Sequence, residues 1–368
     1  MNRRFVNLLV DKFSAPRPAI KLHRIDPATL FYPTGSPKPA DPVAGPAPGR
    51  LPPAAMSFDR PCERHHTGWI DFMAFKKSIV VAVDNKGRTL LYDSAARAVR
   101  AVNLMQPPLD SPRVFVGMGD RLYVMEIEDG LPSRLRWFHA LIYGPPPDFL
   151  GQHDWYWRPF DLPTFDHPDA DRDSDSDYMF SDYDSDGDYK DAKDHSESEY
   201  KETPSPHPCA ICAFTVVGDS QIWASTVAAG TYSFDTVSSE WSKVGAWVLP
   251  FRGRAVYVPE YKLWFGFSDE DDRLCAADLT LTQPVLEKVW EEDPPPLEAC
   301  SVTASHLLPL GSGRLCVVRM FVKTEEMGSF AVMSGVEVLR DGGSGSLRMI
   351  KHKCRRYNFG ERGVVKLI

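Results

Sequence analysis

Quartets of short apolar segments, separated by turn-forming residues, recur along this chain and constrain its fold more than any other feature. The clearest quartet spans residues 69–102, where the segments read IDFMAF, SIVVAV, RTLLYD and RAVRAV. Between the second and third segments, Asn85 and Gly87 suit a tight hairpin turn that requires positive φ. Segments this short and closely spaced predict antiparallel strands rather than helices, so each quartet predicts one four-stranded sheet.

The same order of four segments returns at intervals of about 35 to 50 residues, which is within the range of propeller blades. The further quartets cover residues 114–160, 210–249, 254–290 and 305–354. We therefore predict an all-β fold, a β-propeller built from four-stranded antiparallel blades. The whole chain, residues 1–368, is expected to form this single domain, because a ring of repeated sheets adds core with each unit.

The two ends of the chain supply the strands of one more blade. Residues 5–10, 20–26 and 30–32 predict three strands, and residues 363–368 predict a fourth. Pairing of this C-terminal strand with the N-terminal blade would close the ring and remove exposed sheet edges. Six blades are preferred on this count, and seven remain an alternative.

A proline-rich segment, residues 33–62, interrupts the strand pattern near the N-terminus. It holds nine prolines between Pro33 and Pro61, and proline lacks the N–H group that a sheet ladder requires. The segment therefore predicts a long irregular loop.

An acidic segment, residues 166–208, separates the second and third full quartets. Residues 169–202 contain fourteen Asp and Glu against four Lys and Arg, a local charge of −10 in a chain of formal charge −8. Charge repulsion and the missing apolar periodicity predict a disordered insertion within the propeller. Four of its serines precede an acidic residue by three positions, which acidophilic kinases favour. These candidate phosphorylation sites are Ser174, Ser181, Ser185 and Ser196.

Outside residues 169–202 the chain carries a formal charge of only +2, which gives no electrostatic reason to bind nucleic acid or an anionic membrane. No apolar run reaches membrane-spanning length, and residues 5–10 are too few for a secretion signal. The seven cysteines are odd in number and widely spaced, which is typical of reduced thiols. We expect a monomer in the cytoplasm, the nucleus or both, with protein partners whose identity the sequence does not indicate.

An acidic residue follows an apolar one at the expected end of the third strand in several quartets. The position is occupied by Asp26, Asp93, Glu126, Asp235 and Asp278. A carboxylate there can accept backbone N–H groups of the hairpin that leads to the fourth strand. Trp241 and Trp290 lie on the following strands, where an indole can pack between neighbouring sheets. All of these residues are predicted to have structural roles.

Motifs of metal binding and catalysis are incomplete in this sequence. Cys209 and Cys212 have the spacing of half a zinc site, but the chain has no second such pair. Residues 182–188 resemble the first half of an EF-hand loop, yet its twelfth position is Lys193 instead of glutamate. Nucleophile-elbow, phosphate-loop and His-Glu-x-x-His motifs are missing. We therefore predict no catalytic residue, no metal and no cofactor.

Residues 230–241 read Gly-Thr-Tyr-Ser-Phe-Asp-Thr-Val-Ser-Ser-Glu-Trp, an order similar to the second half of a kelch repeat without its Gly-Gly pair. The Gly-His and Trp-Asp signatures of WD40 blades are also missing. Longer stretches resemble a grass-expanded plant family known as domain of unknown function 1668. They are MNRRFVNLLV, LHRIDPATLFYP, DFMAF, GRTLLYD, TVVGDSQIWAS, GTYSFDT, WVLPFRGRAVYVPEYKLWFGFS, LCAADL and RMIKHK. The resemblance implies a kelch-type or galactose-oxidase-like propeller and brings no established activity.

A rigid ring without a catalytic motif predicts a non-catalytic protein-interaction scaffold, whose loops at one face present a concave surface. Trp, Tyr and Arg are the expected anchors for a partner. The alternative is an enzyme, or a propeller that binds a small ligand or carbohydrate, using the central channel. Converging polar or metal-ligating side chains in that channel would favour the alternative. On the first interpretation, the acidic segment is a phosphorylatable regulator.

Overall fold

A computed structural model provides the structure of the protein. It describes residues 5–12, 19–33, 46–59, 69–106, 113–126, 137–147, 151, 153–161, 163, 211–290, 300–323, 328–341, 345–361 and 363–367. The described chain is built from strands, with one four-residue 3-10 helix, Pro27–Leu30. The all-β fold class predicted from the sequence is therefore confirmed.

The strands follow one another along the chain in antiparallel runs. In order they are β1 (Val6–Lys12), β2 (Ala19–Ile25), β3 (Ala47–Pro48), β4 (Ala54–Asp59), β5 (Ile70–Phe75), β6 (Ile79–Asp84), β7 (Thr89–Asp93), β8 (Ala98–Val102), β9 (Arg113–Met118), β10 (Arg121–Glu126), β11 (Phe138–Gly144), β12 (Asp154–Phe160), β13 (Ile211–Val217), β14 (Gln221–Thr226), β15 (Gly230–Asp235), β16 (Glu240–Gly245), β17 (Arg252–Val258), β18 (Leu263–Phe267), β19 (Leu274–Ala277), β20 (Leu286–Val289), β21 (Cys300–Gly311), β22 (Arg314–Lys323), β23 (Gly328–Arg340), β24 (Leu347–Glu361) and β25 (Gly363–Leu367).

Most sheets contain four antiparallel strands, as the quartets predict. Three have the strand orders β5-β6-β7-β8, β12-β11-β10-β9 and β25-β1-β2-β4. A fourth sheet, β21-β22-β23-β24, gains the two-residue strand β3 at its edge. The C-terminal strand β25 pairs with β1, with Leu367 opposite Leu8. The two ends of the chain therefore share one sheet.

The largest sheet joins two quartets. Its order is β16-β15-β14-β13-β17-β18-β19-β20, and the two halves meet where β13 and β17 run parallel. This junction is short, because only Ala213 and Phe214 of β13 pair with Gly253 and Arg254 of β17. Each half is otherwise an antiparallel four-stranded sheet of consecutive strands.

The core lies between the faces of neighbouring sheets. One example is the cluster in which Phe138 of β11 meets Phe234 of β15, with ring centroids 4.7 Å apart and an interplanar angle of 88°. Both rings are buried. Edge-to-face packing of this kind stabilises an aromatic pair beyond its area burial. Buried apolar side chains on the facing strands thus hold adjacent quartets together.

Two predictions about the N-terminal region are wrong. Residues 30–32 do not form a strand, because Asp26 caps the 3-10 helix Pro27–Leu30 instead. The proline-rich segment 33–62 is not irregular throughout, since it contains β3 and the edge strand β4. Pro52 and Pro53 precede β4, so their missing N–H groups do not interrupt its pairing with β2.

The acidic segment, residues 166–208, lies outside the described residues. Its predicted disorder therefore stays a prediction. In the described part of the chain, no helix has the length and apolar character needed to cross a membrane.

Candidate functional site

A cavity of about 230 Å³ lies between the first strands of four quartets. We call it the inner cleft. Its lining residues come from β9, β13, β17 and β21, and they are Val116, Gly117, Thr215, Val216, Arg254, Ala255, Val256, Tyr257, Leu307, Leu308 and Pro309. Most of these positions fall in the second half of their strands, so the cleft lies toward the hairpin turns that lead to the second strands.

A β-bulge in β17 shapes one wall of the inner cleft. Arg252 is opposite Phe267 and Val256 is opposite Phe265, so β17 has two more residues than β18 over this stretch. Gly253 has a φ of 67°, a backbone conformation that costs glycine little and other residues more. Bulges of this kind redirect side chains and are frequent beside functional sites. Here the bulge places Arg254 at the cleft.

A buried hydroxyl fixes the bulge to the neighbouring strand. Thr215 on β13 donates its side-chain hydrogen bond to the carbonyl of Ala255, at 2.9 Å. Thr215 is 1% exposed and Ala255 is buried, whereas Arg254 between Gly253 and Ala255 is exposed. The backbone that carries Arg254 is therefore anchored while its side chain reaches solvent.

The chain that leads into β17 is held by a small polar network. The Thr231 hydroxyl donates to the carbonyl of Trp247 at 2.7 Å. The Ser225 hydroxyl lies 2.8 Å from that of Thr231 and accepts the N–H of Leu249 at 3.1 Å. Ser225 and Thr231 are fully buried. Buried polar groups that are satisfied in this way rigidify a connection, so the start of β17 is fixed from β14 and β15.

A close contact between β18 and the residue that precedes β17 also restrains β17. A Cβ on Gly266 would lie 2.7 Å from the ring of Phe251, which is 1% exposed. Glycine at position 266 on β18 thus allows Phe251 to pack directly behind the bulge. The site is supported on two sides, by β13 and by β18.

Tyr257 provides an aromatic surface at the inner cleft. It is 42% exposed, and its ring packs on Trp264 with centroids 4.6 Å apart. The Trp264 indole donates to the carbonyl of Val216 at 2.9 Å, which fixes it against β13. Tyr257 therefore has a preset orientation, which lowers the entropy that it loses on binding.

Most residues that line the inner cleft are uncharged. Its walls are mainly apolar, and Arg254 is the only charged residue among the eleven that line it. The lining contains no His, Cys, Asp or Glu, the residue types that most often act as general acids or bases. Within the described ranges, no three His, Cys, Asp or Glu side chains are grouped so that they could hold a metal ion.

The acidic residues predicted at strand ends lie in turns. Asp93 accepts the N–H groups of Ala95 and Ala96, Asp235 accepts those of Val237 and Ser238, and Asp278 accepts that of Thr280, at 2.7–3.3 Å. Burial acts to raise the pKa of Asp93, but these backbone bonds and one from the Ser78 side chain outweigh it and lower the pKa. These carboxylates stabilise turns away from the inner cleft.

Asp26 and Glu126 differ from that pattern. Asp26 follows β2, the third strand of its sheet, and accepts the N–H of Ala28 at 2.9 Å at the start of the 3-10 helix. Glu126 ends β10, which is the second strand of its sheet and not the third. The third-strand position expected for Glu126 therefore does not agree with the strand order, and its structural role in a turn stays a prediction.

The two tryptophans pack at contacts between sheets. Trp241 of β16 lies 5.5 Å from Phe138 of β11, and its indole donates to the carbonyl of Asp161 at 2.9 Å. Trp290 stacks on Phe265 at 5.7 Å, in a cluster that includes residues of the β21–β24 sheet. Neither tryptophan lines the inner cleft.

Several motifs from the sequence fall outside the described residues. These are the serines Ser174, Ser181, Ser185 and Ser196, the EF-hand-like residues 182–193, and Cys209. Cys212 is described: burial, and then the charge of Asp269, raise the pKa of its thiol. Its sulfur donates to the carbonyl of Ser225 at 3.3 Å. Cys212 therefore has the environment of a structural thiol.

Sequence reasoning did not find the inner cleft. Arg254 lies in WVLPFRGRAVYVP, which carried the family resemblance, but nothing marked it as a site residue. The available signal was Gly253, because an isolated glycine inside a strand pattern indicates a bulge. The bulge lies at a cleft formed with the first strands of three other quartets, β9, β13 and β21. Contacts between strands so distant in sequence leave no signal in a local pattern.

Comparison with known proteins identifies a family and distant structural likenesses. The family model described as protein of unknown function, DUF1668, matches residues 3–357. No curated protein matches the chain at the level of sequence.

Among the solved structures that resemble the chain, two examples show how low the sequence identity is. The WD40 domain of SCAP from fission yeast is 7% identical, with a TM-score of 0.33, covering 95% of this chain and 73% of its own. Apo AztD from Citrobacter koseri is 9% identical, with a TM-score of 0.36, covering 96% and 98%. Likenesses this distant indicate neither function nor partner.

Proposed function

The chain belongs to the DUF1668 family of proteins of unknown function, and from this premise we propose that it is a six-bladed β-propeller acting as a non-catalytic protein-interaction scaffold. Six antiparallel quartets of strands in the described chain support the blade count. The pairing of β25 with β1 supports closure of the ring through the chain ends. The order Tyr, Phe-Asp, polar turn, Trp in residues 230–241 supports kelch-type blades.

The observation that carries the proposal is the pair of exposed side chains at the inner cleft. Arg254 and Tyr257 belong to the residue types that dominate binding energy at protein interfaces. Both extend from a backbone held by buried hydrogen bonds and packing. Apolar walls lie directly beside them. A partner would therefore meet a rigid anchor of one cation and one aromatic ring.

Affinity capture from native extract with the full chain and two site variants tests this proposal. We expect Arg254→Ala and Tyr257→Ala each to remove the same reproducible set of captured proteins. Arg348→Ala is the matched control for the arginine, since Arg348 is exposed on β24. Tyr143→Ala is the control for the tyrosine, because Tyr143 is 50% exposed and packs on Trp155 at 5.3 Å. Identical captured sets for all four variants would contradict the proposal.

A small-ligand propeller is the second candidate, favoured by the presence of the inner cleft between the first strands of four quartets. Its volume of about 230 Å³ is below the usual range for drug-sized ligands, about 300–1,000 Å³. A reproducible thermal shift with a metabolite library, together with no reproducible captured protein, would support this second function instead of the first.

Regulation and location complete the proposal. We propose that phosphorylation within residues 166–208, at Ser174, Ser181, Ser185 or Ser196, adds negative charge and thereby changes partner binding. Mass spectrometry of native protein without phosphate on any of the four serines would contradict it. We also propose a monomer in the cytoplasm, the nucleus or both, which light scattering and fractionation would test.

A further inference from the structure

We propose that the outer edge of β24 is a second docking surface, which binds an extended acidic segment of a partner protein as an added strand. The surface comprises residues 351–356, which we call the basic edge. It is separate from the inner cleft, and it goes beyond the proposed scaffold function by giving the scaffold a second contact. Arg348, beside the turn that begins β24, lies outside it.

The chain itself uses this side of β24 to hold an extended segment. The two-residue strand β3 runs parallel to β24, and Gly49 after it donates its N–H to the carbonyl of Arg356 at 2.7 Å. β3 pairs only with Arg355 and Arg356, and no other described strand adjoins β24 on this side. Among the described residues, 350–354 therefore form an open sheet edge. Such an edge is a template for the strand of another chain.

Four cations lie along this edge. They are half-buried, and within the described ranges none of them forms an ion pair; they are Lys351, Lys353, Arg355 and Arg356. β24 has no acidic residue before Glu361. Glu337 on β23 already contacts His352 at 3.1 Å and Arg314 at 3.4 Å. An acidic side chain on an added strand would therefore gain a favourable cross-strand pair.

Aromatic rings position two of the cations. The Lys353 ammonium lies 4.9 Å from the ring centroid of Tyr32, and the Arg356 guanidinium lies 3.7 Å from that of Phe330. Contacts of this kind attract a cation to the face of the ring. The Arg356 Nε also donates to the side-chain oxygen of Asn358 at 2.9 Å. Cations that are fixed before binding lose less entropy when a partner arrives.

The cations lie on both faces of the sheet, which favours an added strand over a flat anionic surface. Arg356 is opposite Val332 and Arg355 is opposite Met333, two consecutive residues of β23 whose side chains point to opposite faces. A membrane or a nucleic acid against one face would contact only part of the set. A strand that continues the sheet has side chains on both faces. A second copy of this chain is disfavoured, because its own basic edge would oppose like charges.

Two octapeptides that differ only in charge test the proposal. Fluorescein-labelled peptides of four Glu-Thr or four Gln-Thr repeats are titrated into the full chain and followed by fluorescence anisotropy. We expect the glutamyl peptide to bind about fivefold more tightly, since cross-strand pairs of opposite charge stabilise a sheet. Lys351→Gln combined with Lys353→Gln should remove this preference. The matched control, Lys243→Gln with Lys288→Gln, should keep it, because these lysines are exposed on the outer strands β16 and β20.

A third probe tests strand addition itself. It is the glutamyl peptide with every backbone N–H methylated, which keeps the charges but cannot donate to β24, so it should bind as weakly as the glutaminyl peptide. Equal binding of the two glutamyl peptides would show that the cations attract an anion without an added strand, and the proposal fails. Equal binding of the glutamyl and glutaminyl peptides, or binding of neither, also overturns it. The cations would then only prevent edge-to-edge association.

Carbodiimide cross-linking, which joins lysine amines to carboxylates, identifies the occupant. Mass spectrometry should find Lys351 or Lys353 of the full chain linked to the added glutamyl peptide. Links to residues 169–202 of the same chain instead would make the chain its own occupant and overturn the proposal. An oligothymidylate of eight nucleotides that binds more tightly than the glutamyl peptide would overturn it in favour of nucleic acid. The scaffold function is judged separately, by captured proteins that depend on Arg254 and Tyr257.

Discussion

Arg319 is predicted to be a main link between the β17–β20 and β21–β24 sheets, and replacing it should destabilise the whole protein. Its guanidinium contacts the Asp272 carboxylate at 2.5 Å and the Asp272 carbonyl at 2.6 Å. The Ser305 hydroxyl donates to the same carboxylate at 2.6 Å. The guanidinium also lies 5.2 Å from the centroid of the Phe267 ring. The hairpin between β18 and β19 is thereby joined to β21 and β22.

The expected magnitude follows from burial. The side chains of Arg319 and Asp272 are only 10% and 26% exposed. Removing one partner of such a pair leaves a charge that is partly desolvated, at a cost of about 3 kcal/mol in free energy of unfolding. We therefore expect Arg319→Met to lower this free energy by about 3 kcal/mol.

The control is an ion pair between sheets that is exposed to solvent. Lys76 and Asp120 approach within 2.7 Å, but their side chains are 39% and 87% exposed. Water and salt screen such a pair, so Lys76→Met should cost less than about 1 kcal/mol. Urea denaturation followed by tryptophan fluorescence compares the two variants with the unmodified chain.

A double variant checks that the effect comes from the pair. Asp272→Asn keeps a residue that tolerates the positive φ of 54° at this position. Combined with Arg319→Met, it should cost less than the sum of the two single changes, because no charge is then left unpaired. An Arg319→Met cost no larger than that of Lys76→Met, or strictly additive changes, would refute the reasoning.

Three further predictions concern the site, acid stability and thiol reactivity. Thr215→Val leaves the Ala255 carbonyl without its donor, so the free energy of unfolding should fall by about 1 kcal/mol. Urea denaturation that shows no loss of stability would contradict the role of Thr215. Burial lowers the pKa of His306 to about 4, so below about pH 6.5 the unfolded chain takes up this proton first. Stability should therefore fall by up to about 3 kcal/mol between pH 6.5 and 4, and urea melts of His306→Gln should show a shallower pH dependence; an unchanged slope would count against it. Burial raises the pKa of Cys275 and Cys316 to about 12, so iodoacetamide at pH 8 should label them only after unfolding, and mass spectrometry detecting native labelling at the unfolded rate would disprove this protection.

The regular part of the fold could be predicted from the sequence because its strands carry local signals. β5 to β8 show apolar segments of strand length separated by turn residues, and the structure has strands at those positions. Asp93 and Asp235 marked turns because a carboxylate bonds to backbone only a few residues away. Both kinds of signal, the apolar segments and the turn carboxylates, involve residues of a single hairpin.

Features that depend on distant partners could not be predicted. β4 is separated from its partner β2 by the proline-rich stretch, so no hairpin signal connected them. β24 extends to Glu361, well past the predicted end at residue 354, where it pairs with β23. The Arg254 bulge requires β13 as well as β18. A pattern along one strand does not contain these contacts.

Closure of the chain on itself is the central claim of this account, and a disulfide trap tests it most directly. Leu8 on β1 and Leu367 on β25 are opposite each other and buried in the same cluster. Opposed residues of antiparallel strands have Cα atoms about 4.5–5.5 Å apart, which a disulfide can bridge. Mild oxidation of the full chain with Leu8→Cys and Leu367→Cys should give a monomer in which mass spectrometry finds the two end peptides linked. The matched pair Leu8→Cys and Leu339→Cys should give no such link. Absence of the Leu8–Leu367 link, or its formation only between molecules, would contradict the closed ring.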